Sequence, residues 1–263
     1  MTTEFGVCDL ALAPLRAEAS DKSEILSFLL FGDCFEILET RSKWMQVRTL
    51  SDNYIGWIDP KQQRSLKEGQ VQQLQNNLVV TGPAVYHSIE REDSGETLYL
   101  TAGSRIPAPD TNNRFKIGDT TYRFTREPQL AAVGNFARHI NEYARFYLNA
   151  PYLWGGKSIF GIDCSGFTQM VFRMLNIEIL RDACQQAEQG SVVNFLQEIK
   201  PGDLAFFDND EGRITHVGII LDSQHIIHAS GKVRIDVIDD QGIYNTETGR
   251  HTHKLRIIKR FKN

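Results

Sequence analysis

The chain has 263 residues, of which 41% are hydrophobic and 24% are charged, and its formal net charge is −4 at pH 7. This composition is typical of a globular protein with two or three domains and a sizeable core. Because the net charge is slightly negative and no run of like charges stands out, the sequence disfavours nucleic acid and anionic membranes as partners.

The N-terminus lacks the basic and apolar segments of a secretory signal, and no stretch reaches the about 18 apolar residues that a membrane span needs. If the chain is complete, we expect a cytoplasmic protein with no membrane partner. The cysteines form no CxxC pair, so free thiols are expected in a reducing compartment. Three of them, Cys8, Cys34 and Cys184, are interpreted as fillers of the core or the surface.

Two β-rich segments come first. Residues 1–65 read as short strands between turns, and this spacing predicts a small β-barrel. The expected strands are 8–11, 25–30, 35–38, 44–47 and 54–58. Residues 66–128 show apolar alternation again, at Leu98, Leu100, Phe115, Ile117, Tyr122 and Phe124. They predict a second, more divergent barrel.

A helical period replaces the alternation near residue 130. Apolar residues between Val133 and Leu148 form one stripe, which predicts a helix that ends before Pro151. We therefore expect a third domain over 129–263 and, for the whole chain, the α+β fold class.

Cys164 lies in the run GIDCSGF (161–167), where a second helix is expected to begin. Apolar residues at 167, 170, 171, 174 and 175 predict an amphipathic helix with one buried face. Asp163 suits its N-cap, and the positive end of the helix dipole favours a thiolate in the first turn. Cys164 is therefore a candidate nucleophile, although a single cysteine is more often a small buried apolar residue.

Two histidines follow in a predicted hairpin. The apolar runs 215–221 and 225–229 are separated by the turn residues Asp-Ser-Gln, and a three-residue loop would place Gly218 opposite His228. His216 and His228 would then share a face, with their Cβ atoms roughly 7 Å apart. A two-residue loop would put them on opposite faces.

These three residues have complementary chemistry. His216 would take the thiol proton and return it to the leaving amine, while His228 would hold His216 in the productive tautomer. Alone, either histidine would be interpreted as a hydrogen-bonded residue at a strand end. Together with Cys164, they predict a thiol hydrolase or acyltransferase.

The motifs resemble those of the NlpC/P60 cysteine peptidases in order and spacing. The matching runs are PYLWGG (151–156), DCSGF (163–167), KPGDLAFF (200–207), THVGI (215–219) and IHASG (227–231). The resemblance implies a papain-like α+β domain, Cys-His-His catalysis by Cys164, His216 and His228, and no metal or other cofactor. It also implies cleavage of the bond between γ-D-glutamate and a diamino acid, diaminopimelate or lysine, in murein-derived peptides.

The first barrel resembles the bacterial SH3 domains that accompany such peptidases, in the runs FGDCFEIL (31–38), KWMQV (43–47) and YIGWI (54–58). In enzymes of this layout, a Glu and a Tyr of the barrel bind the free amine of an N-terminal L-Ala. Glu24 and Tyr54 fall at the matching positions. The resemblance therefore implies the recycling of short peptides rather than attack on intact wall.

The resemblance implies further substrate-binding residues, namely Tyr152, Trp154, Asp163, Ser165, Arg181 and Asp182. Asp163 and Ser165 match positions that line the cleft, and Tyr152 and Trp154 match its wall. Arg181 and Asp182 lie in LRDACQQ (180–186), where Leu180 replaces the proline that is usual in the family. Arg181 is expected to grip the α-carboxylate of D-Glu as a planar fork.

Three alternatives stay open. A metal hydrolase would use histidines such as His251 and His253, but there is no HExxH or CxxC arrangement, and an HxH pair near a C-terminus is more often a solvated strand edge. A lipid acyltransferase on the same fold would usually bring membrane-directed apolar segments. A non-catalytic wall-binding module would not need Cys164, His216 and His228. The oligomeric state is open.

Overall fold

The computed structural model describes residues 4–132 and 134–262. The chain divides into two compact units, 1–132 and 133–263. The chain contains helices together with sheets that are antiparallel, so the fold class is α+β, as predicted. Within the described residues, no helix has the length and apolar character needed to cross a membrane.

The first unit is mainly β-structure. Its elements are β1 (Glu4–Val7), β2 (Leu12–Arg16), β3 (Ile25–Leu30), β4 (Cys34–Arg41), β5 (Trp44–Thr49), β6 (Ile55–Ile58), β7 (Arg64–Leu66), α1 (Glu68–Gln75), β8 (Leu78–Val80), β9 (His87–Arg91), β10 (Thr97–Leu100), β11 (Arg105–Pro107), β12 (Arg114–Ile117) and β13 (Thr120–Phe124).

The first seven strands form one antiparallel sheet in the order β3-β2-β6-β5-β4-β1-β7. The sheet encloses an apolar cluster of Cys8, Ala13, Leu15, Leu29, Phe35, Val47 and Ile58. The strand predicted at 25–30 is confirmed as β3. The strand predicted at 8–11 is wrong, because Cys8 exchanges backbone hydrogen bonds with Gly32 and Asp33 and the segment turns from β1 into β2.

The rest of the first unit forms a second sheet with its own apolar cluster. Strands β9, β10, β12 and β13 form a four-stranded sheet, and the predicted alternation is confirmed, because Leu100, Phe115 and Tyr122 are buried there. This cluster also includes Val7 and Phe31, so residues 1–65 and 66–128 contribute to one core. Helix α1 was not expected in this segment. The division into domains 1–65, 66–128 and 129–263 stays a prediction.

The second unit carries the remaining elements. They are α2 (Phe136–Phe146), β14 (Lys157–Ser158), β15 (Gly161–Ile162), α3 (Cys164–Met174), α4 (Ala183–Ala187), β16 (Ser191–Val193), β17 (Leu204–Asp208), β18 (Ile214–Ile220), β19 (His225–Ser230), β20 (Lys232–Ile238), β21 (Gly242–Asn245) and β22 (Arg250–Arg260). Helix α2 confirms the stripe that ends before Pro151, while Val133 lies outside the described residues.

Six of these strands form one closed sheet. They pair in the order β22-β17-β18-β19-β20-β21, and β21 pairs back with β22, so β17–β22 form an antiparallel barrel. Its interior contains an apolar cluster, which includes Ala205, Phe207, Ile220, Ile226, Ile238, Ile243 and Ile258. We call these strands the C-terminal barrel.

Helix α3 packs against β18 and β19. The prediction of one buried face is wrong, because all residues of α3 are buried, including Gln169 and Arg173. Gly166, in the first turn of α3, makes this packing possible. A Cβ atom there would lie 2.3 Å from the carbonyl oxygen of Gly156, so only glycine allows the helix to approach this backbone.

Candidate active site

Cys164 is the first residue of α3, and the Asp163 cap is confirmed. One carboxylate oxygen of Asp163 accepts a hydrogen bond from the N–H of Gly166 (2.6 Å), and the other accepts from the N–H of Gly155 (2.8 Å). This aspartate therefore ties the start of the helix to the PYLWGG segment. The position of the Cys164 side chain follows from these local contacts.

The Cys164 thiol is buried, and its surroundings favour the protonated form. Burial, reinforced by the negative charge of Asp163, raises the pKa of Cys164 to about 11, although the backbone N–H of Val217 counteracts this. The expected thiolate is therefore not the favoured resting form. The influence of the Val217 N–H also shows that Sγ lies beside the backbone of the residue that follows His216.

His216 and His228 form a hydrogen-bonded pair. The predicted register is confirmed, since Gly218 lies opposite His228. The two rings are joined between His216 Nε2 and His228 Nδ1 at 2.8 Å. A Cβ atom at Gly218 would lie 2.9 Å from the His228 Cβ, so glycine leaves the ring its space. Burial, aided by the neighbouring His228 and His253, holds the pKa of His216 well below its ordinary value, and its ring is neutral at pH 7.

The chain of contacts extends beyond His228. The Nε2 atom of His228 lies 3.0 Å from Asp236 Oδ2, and both side chains are only 1% exposed. Arg234 donates two hydrogen bonds to the same carboxylate, at 2.7 and 2.9 Å. Neither residue was a candidate in the sequence. The alternation of β20 gave no signal, because Asp236 falls in phase with the polar Lys232 and Arg234, a phase that normally faces solvent.

His253 is a further residue that the sequence interpretation misplaced. Its ring stacks on His216, with centroids 4.2 Å apart and an interplanar angle of 26°. Burial lowers its pKa to about 4, so it is uncharged at pH 7. The solvated strand edge expected for the HxH pair is therefore wrong for His253, while His251 lies at the surface beside Asp239.

The three imidazoles deserve comparison with a metal site, because one nitrogen from each of His216, His228 and His253 lies within 4.8 Å of the others. Imidazole nitrogens are typical zinc ligands. However, the nearest two nitrogens are hydrogen-bonded to each other, and the His253 ring lies face to face with His216 rather than edge-on. The arrangement suits a hydrogen-bonded base better than a ligand set.

Arg181 has a different partner from the one expected. Its guanidinium donates to both carboxylate oxygens of Asp163, at 3.1 and 2.6 Å, and to Ser165 Oγ at 2.9 Å. Because Asp163 takes the planar fork and Arg181 is 1% exposed, the guanidinium supports the start of the helix in this structure. Its grip on a substrate carboxylate stays a prediction. Substrate contacts of Asp163 and Ser165 stay predictions.

The other predicted residues of the second unit lie around this helix. Tyr152 is partly buried, and burial together with the nearby Cys164 and Asp163 raises its pKa to about 12. Tyr152 therefore lies near Cys164 and Asp163. Trp154 is 62% exposed. Asp182 is the N-cap residue of α4, with its N–H donating to Gln185 Oε1 at 3.0 Å. The substrate roles of all three residues stay predictions.

Glu24 and Tyr54 belong to the first unit. Glu24 is exposed immediately before β3, and its carbonyl oxygen accepts a hydrogen bond from the N–H of Ala17. Tyr54 lies immediately before β6 and packs against the apolar cluster of the first sheet. Their binding of a substrate amine stays a prediction.

The site is thus a thiol at the start of a buried helix beside a hydrogen-bonded histidine pair, in an α+β unit. Two known families match this chain. The NlpC/P60 family matches residues 149–251, and the bacterial dipeptidyl-peptidase SH3 domain matches residues 15–62. The first match contains Cys164, His216 and His228, and the second contains Glu24 and Tyr54.

Two relatives extend the match over most of the chain. The gamma-D-glutamyl-L-lysine dipeptidyl-peptidase of Bacillus subtilis (strain 168) is 30% identical over 215 residues, which make up 76% of this chain and 71% of the relative. The dipeptidyl-peptidase 6 of Lysinibacillus sphaericus is 26% identical over 264 residues, 88% of this chain and 90% of the relative. This chain belongs to the NlpC/P60 family of peptidases and carries an N-terminal SH3-like domain.

The crystal structure of an NlpC/P60 family protein from Bacillus cereus ATCC 10987 has the same fold. It superimposes with a TM-score of 0.81 at 19% sequence identity and covers 98% of this chain and 99% of its own. The predicted papain-like NlpC/P60 unit with an SH3-like domain is confirmed at the level of the fold.

Proposed function

We propose that this protein is a cysteine peptidase that cleaves the bond between γ-D-glutamate and a diamino acid in cell-wall peptides. One observation carries the proposal: Cys164 Sγ lies beside the Val217 backbone, while the adjacent His216 is hydrogen-bonded to His228. A nucleophile, a base and a group that orients the base are thereby present in one place.

The chemistry follows from the neutral resting state. His216 Nδ1 takes the thiol proton as Cys164 Sγ attacks the γ-carbonyl carbon, since His216 Nε2 is engaged with His228. The tetrahedral intermediate collapses with cleavage of the C–N bond, and His216 gives its proton to the leaving amine. Water, deprotonated by His216, then hydrolyses the thioester and regenerates the thiol.

The substrate is inferred from the relatives and from the family resemblance. The Bacillus subtilis relative is named for a bond between γ-D-glutamate and L-lysine. We propose short murein-derived peptides with a free N-terminal L-Ala, a role in peptide recycling, and a cytoplasmic location. Diaminopimelate and lysine both remain candidates for the diamino acid.

The decisive experiment measures the release of free diamino acid from L-Ala-γ-D-Glu-diaminopimelate and L-Ala-γ-D-Glu-L-Lys. We expect cleavage of at least one tripeptide, loss of cleavage in Cys164→Ala and after alkylation, and no effect of EDTA. Inhibition by EDTA that added zinc reverses would favour a metal hydrolase. Release of the diamino acid by Cys164→Ala would refute the proposal.

The specificity for a free amine has its own test. N-acetylation of the L-Ala removes its positive charge, and loss of a desolvated charge pair typically costs ~2 to 5 kcal/mol. The acetylated tripeptide should therefore be cleaved at least about 30-fold more slowly. Glu24→Gln should slow cleavage of the free tripeptide similarly, with a nearly unchanged melting temperature. Equal rates on both peptides would remove this part of the proposal.

A further inference from the structure

We propose that Asp236 is a positioning residue that determines, through His228, which nitrogen of His216 carries the proton. The inference rests on the proposed cysteine peptidase function for its catalytic consequence, but the tautomers themselves are a property of the folded protein. Asp236 lies outside the five runs that carry the family resemblance, eight residues after His228 on the next strand.

The Asp236 carboxylate determines where His228 carries its proton. Asp236 lies 3.0 Å from His228 Nε2, and an ionised carboxylate can only accept hydrogen bonds. Although burial works in the opposite direction, hydrogen bonds from His228 and Arg234 hold the pKa of Asp236 below its usual range. Asp236 is therefore ionised at pH 7, and His228 must carry its proton on Nε2.

The tautomer of His228 in turn sets the tautomer of His216. When His228 is neutral, its proton on Nε2 leaves a lone pair on Nδ1, and this atom then accepts the hydrogen bond from His216 Nε2 at 2.8 Å. The neutral His216 then has its remaining lone pair on Nδ1, where the proposed mechanism needs it to accept the thiol proton. With the opposite tautomer of His228, His216 would present an N–H to the thiol and could not act as a base.

Arg234 fixes the position of the Asp236 carboxylate. Arg234 donates from Nε and Nη2 to the two Asp236 oxygens, and from Nη1 to Glu247 at 3.0 Å. Bidentate guanidinium binding fixes the plane of the carboxylate and compensates its buried charge. Asp236 is thus held in one orientation before substrate binds.

The test uses Asp236→Asn, because the amide has the same shape but can donate a hydrogen bond to His228 Nε2. We expect kcat to fall by about 10²-fold or more, with KM changed less than about threefold, in line with tautomer-reversing substitutions in other triads. Asp239→Asn is the matched control. It alters an Asp–His pair with the same chemistry, at His251, which the proposed chain does not include.

A second readout does not depend on peptide hydrolysis. In ¹⁵N spectra of histidine-labelled Cys164→Ala protein at pH 7, His216 and His228 should both show the Nε2–H tautomer, and the added Asp236→Asn change should shift His228 to Nδ1–H. The rate of Cys164 alkylation at pH 7 should also fall in Asp236→Asn but not in Asp239→Asn.

The outcomes separate the two proposals. If no peptide is cleaved but the tautomers are as expected, the proposed function fails and the role of Asp236 in fixing the tautomers stands. If His228 carries its proton on Nδ1 in the protein without the Asp236 change, or if Asp236→Asn retains kcat within about twofold, the inference about Asp236 is overturned. The first of these measurements decides the question even if Asp236→Asn does not fold.

Discussion

The two units both place an antiparallel sheet around an apolar cluster, but they use the interior differently. The cluster in the first sheet is built from side chains such as Leu15 and Phe35, which only fill space. In the C-terminal barrel, the apolar cluster shares the interior with His216, His228 and Asp236, which point to the same side of their strands as Ile220, Ile226 and Ile238.

The difference shows what a buried reactive group requires. An imidazole or carboxylate without a partner would cost several kcal/mol to bury, so it is retained only when a neighbour satisfies its hydrogen bonds. In the C-terminal barrel, each of these groups has its hydrogen-bond partner on an adjacent strand. Arg234 donates to the carboxylate of Asp236 at the end of this series. The closed barrel supplies this arrangement because neighbouring strands hold the side chains in register.

The largest expected effect is a loss of activity that a loss of stability does not explain. His216→Ala should lower kcat/KM by about 10³-fold or more, since the proposed base is removed. The melting temperature should also fall modestly, because the buried His228 Nδ1 loses its hydrogen-bond partner, but the protein should stay folded at the assay temperature. Peptide hydrolysis and thermal unfolding measured on the same sample check both expectations. A loss of activity that merely follows a loss of folded protein would contradict them.

In the first sheet we expect the opposite result, a loss of stability without a loss of activity. Leu15→Ala removes a fully buried side chain from the apolar cluster and should lower the free energy of unfolding by about 2–5 kcal/mol. The kcat of the folded protein should stay unchanged. Denaturant titration and initial rates below the unfolding transition provide the measurements. A kcat that falls in Leu15→Ala while the protein is still folded would show that the two interiors are not functionally distinct.

His253 tests whether ring stacking supports the base. His253→Ala should lower kcat by about tenfold, because the ring that packs on His216 at 4.2 Å is lost and the imidazole can rotate. His253→Phe keeps an aromatic face there and should retain most of the activity. Steady-state kinetics of both variants decide this point. Equal impairment of the two would assign the role to the nitrogens of His253 instead of its ring face.

The smallest effect is the pH dependence. Because the pKa of His216 lies well below 6.5, its neutral form persists in mildly acidic solution, and the acid limb of kcat/KM should have its midpoint below pH 6.5. Since His216 and Cys164 titrate as a coupled pair, the limb belongs to both. A pH–rate profile from 4 to 9 measures it. A midpoint at or above 6.5 would indicate that the site is not desolvated as the structure shows.

The same lowered pKa values predict the pH dependence of stability. The unfolded protein takes up protons on His216 and His253 near pH 6.5, whereas the folded protein does so only at lower pH. The free energy of unfolding should therefore decrease as the pH falls from 6.5 toward about 4, the pKa of His253. In His253→Phe this decrease should be shallower, which denaturant titrations at several pH values would reveal.

Local sequence patterns predicted the parts of the site that depend on neighbours along the chain. The Asp163 cap placed Cys164 at a helix start, and the three turn residues after Leu221 put Gly218 opposite His228. Both results depend on short-range geometry, because a cap acts within one helical turn and a hairpin loop sets the register of its strands.

Other features depend on contacts between segments that are distant in the sequence, and local patterns did not predict them. The run 8–11 has the composition of a strand. In the structure, however, its first residue, Cys8, forms backbone hydrogen bonds with Gly32 and Asp33, and the run turns from β1 into β2. Arg181 has the right fork for a carboxylate, but the one it binds belongs to Asp163, 18 residues earlier. In both cases the hydrogen-bond partner seen in the structure comes from a segment that is distant in the sequence.

The sequence by itself determined the α+β class, the helix start at Cys164 and the face shared by His216 and His228, because each follows from local periodicity, capping or turn geometry. The order and spacing of its motifs carried the family resemblance. Only the tertiary structure decided that Asp236 and His253 meet this pair. Asp236 reaches His228 across the β19–β20 hairpin, and His253 on β22 comes near His216 on β18 because both strands pair with β17. The partner of a polar group inside the barrel therefore depends on strand order and register, which the residue pattern along one strand does not encode.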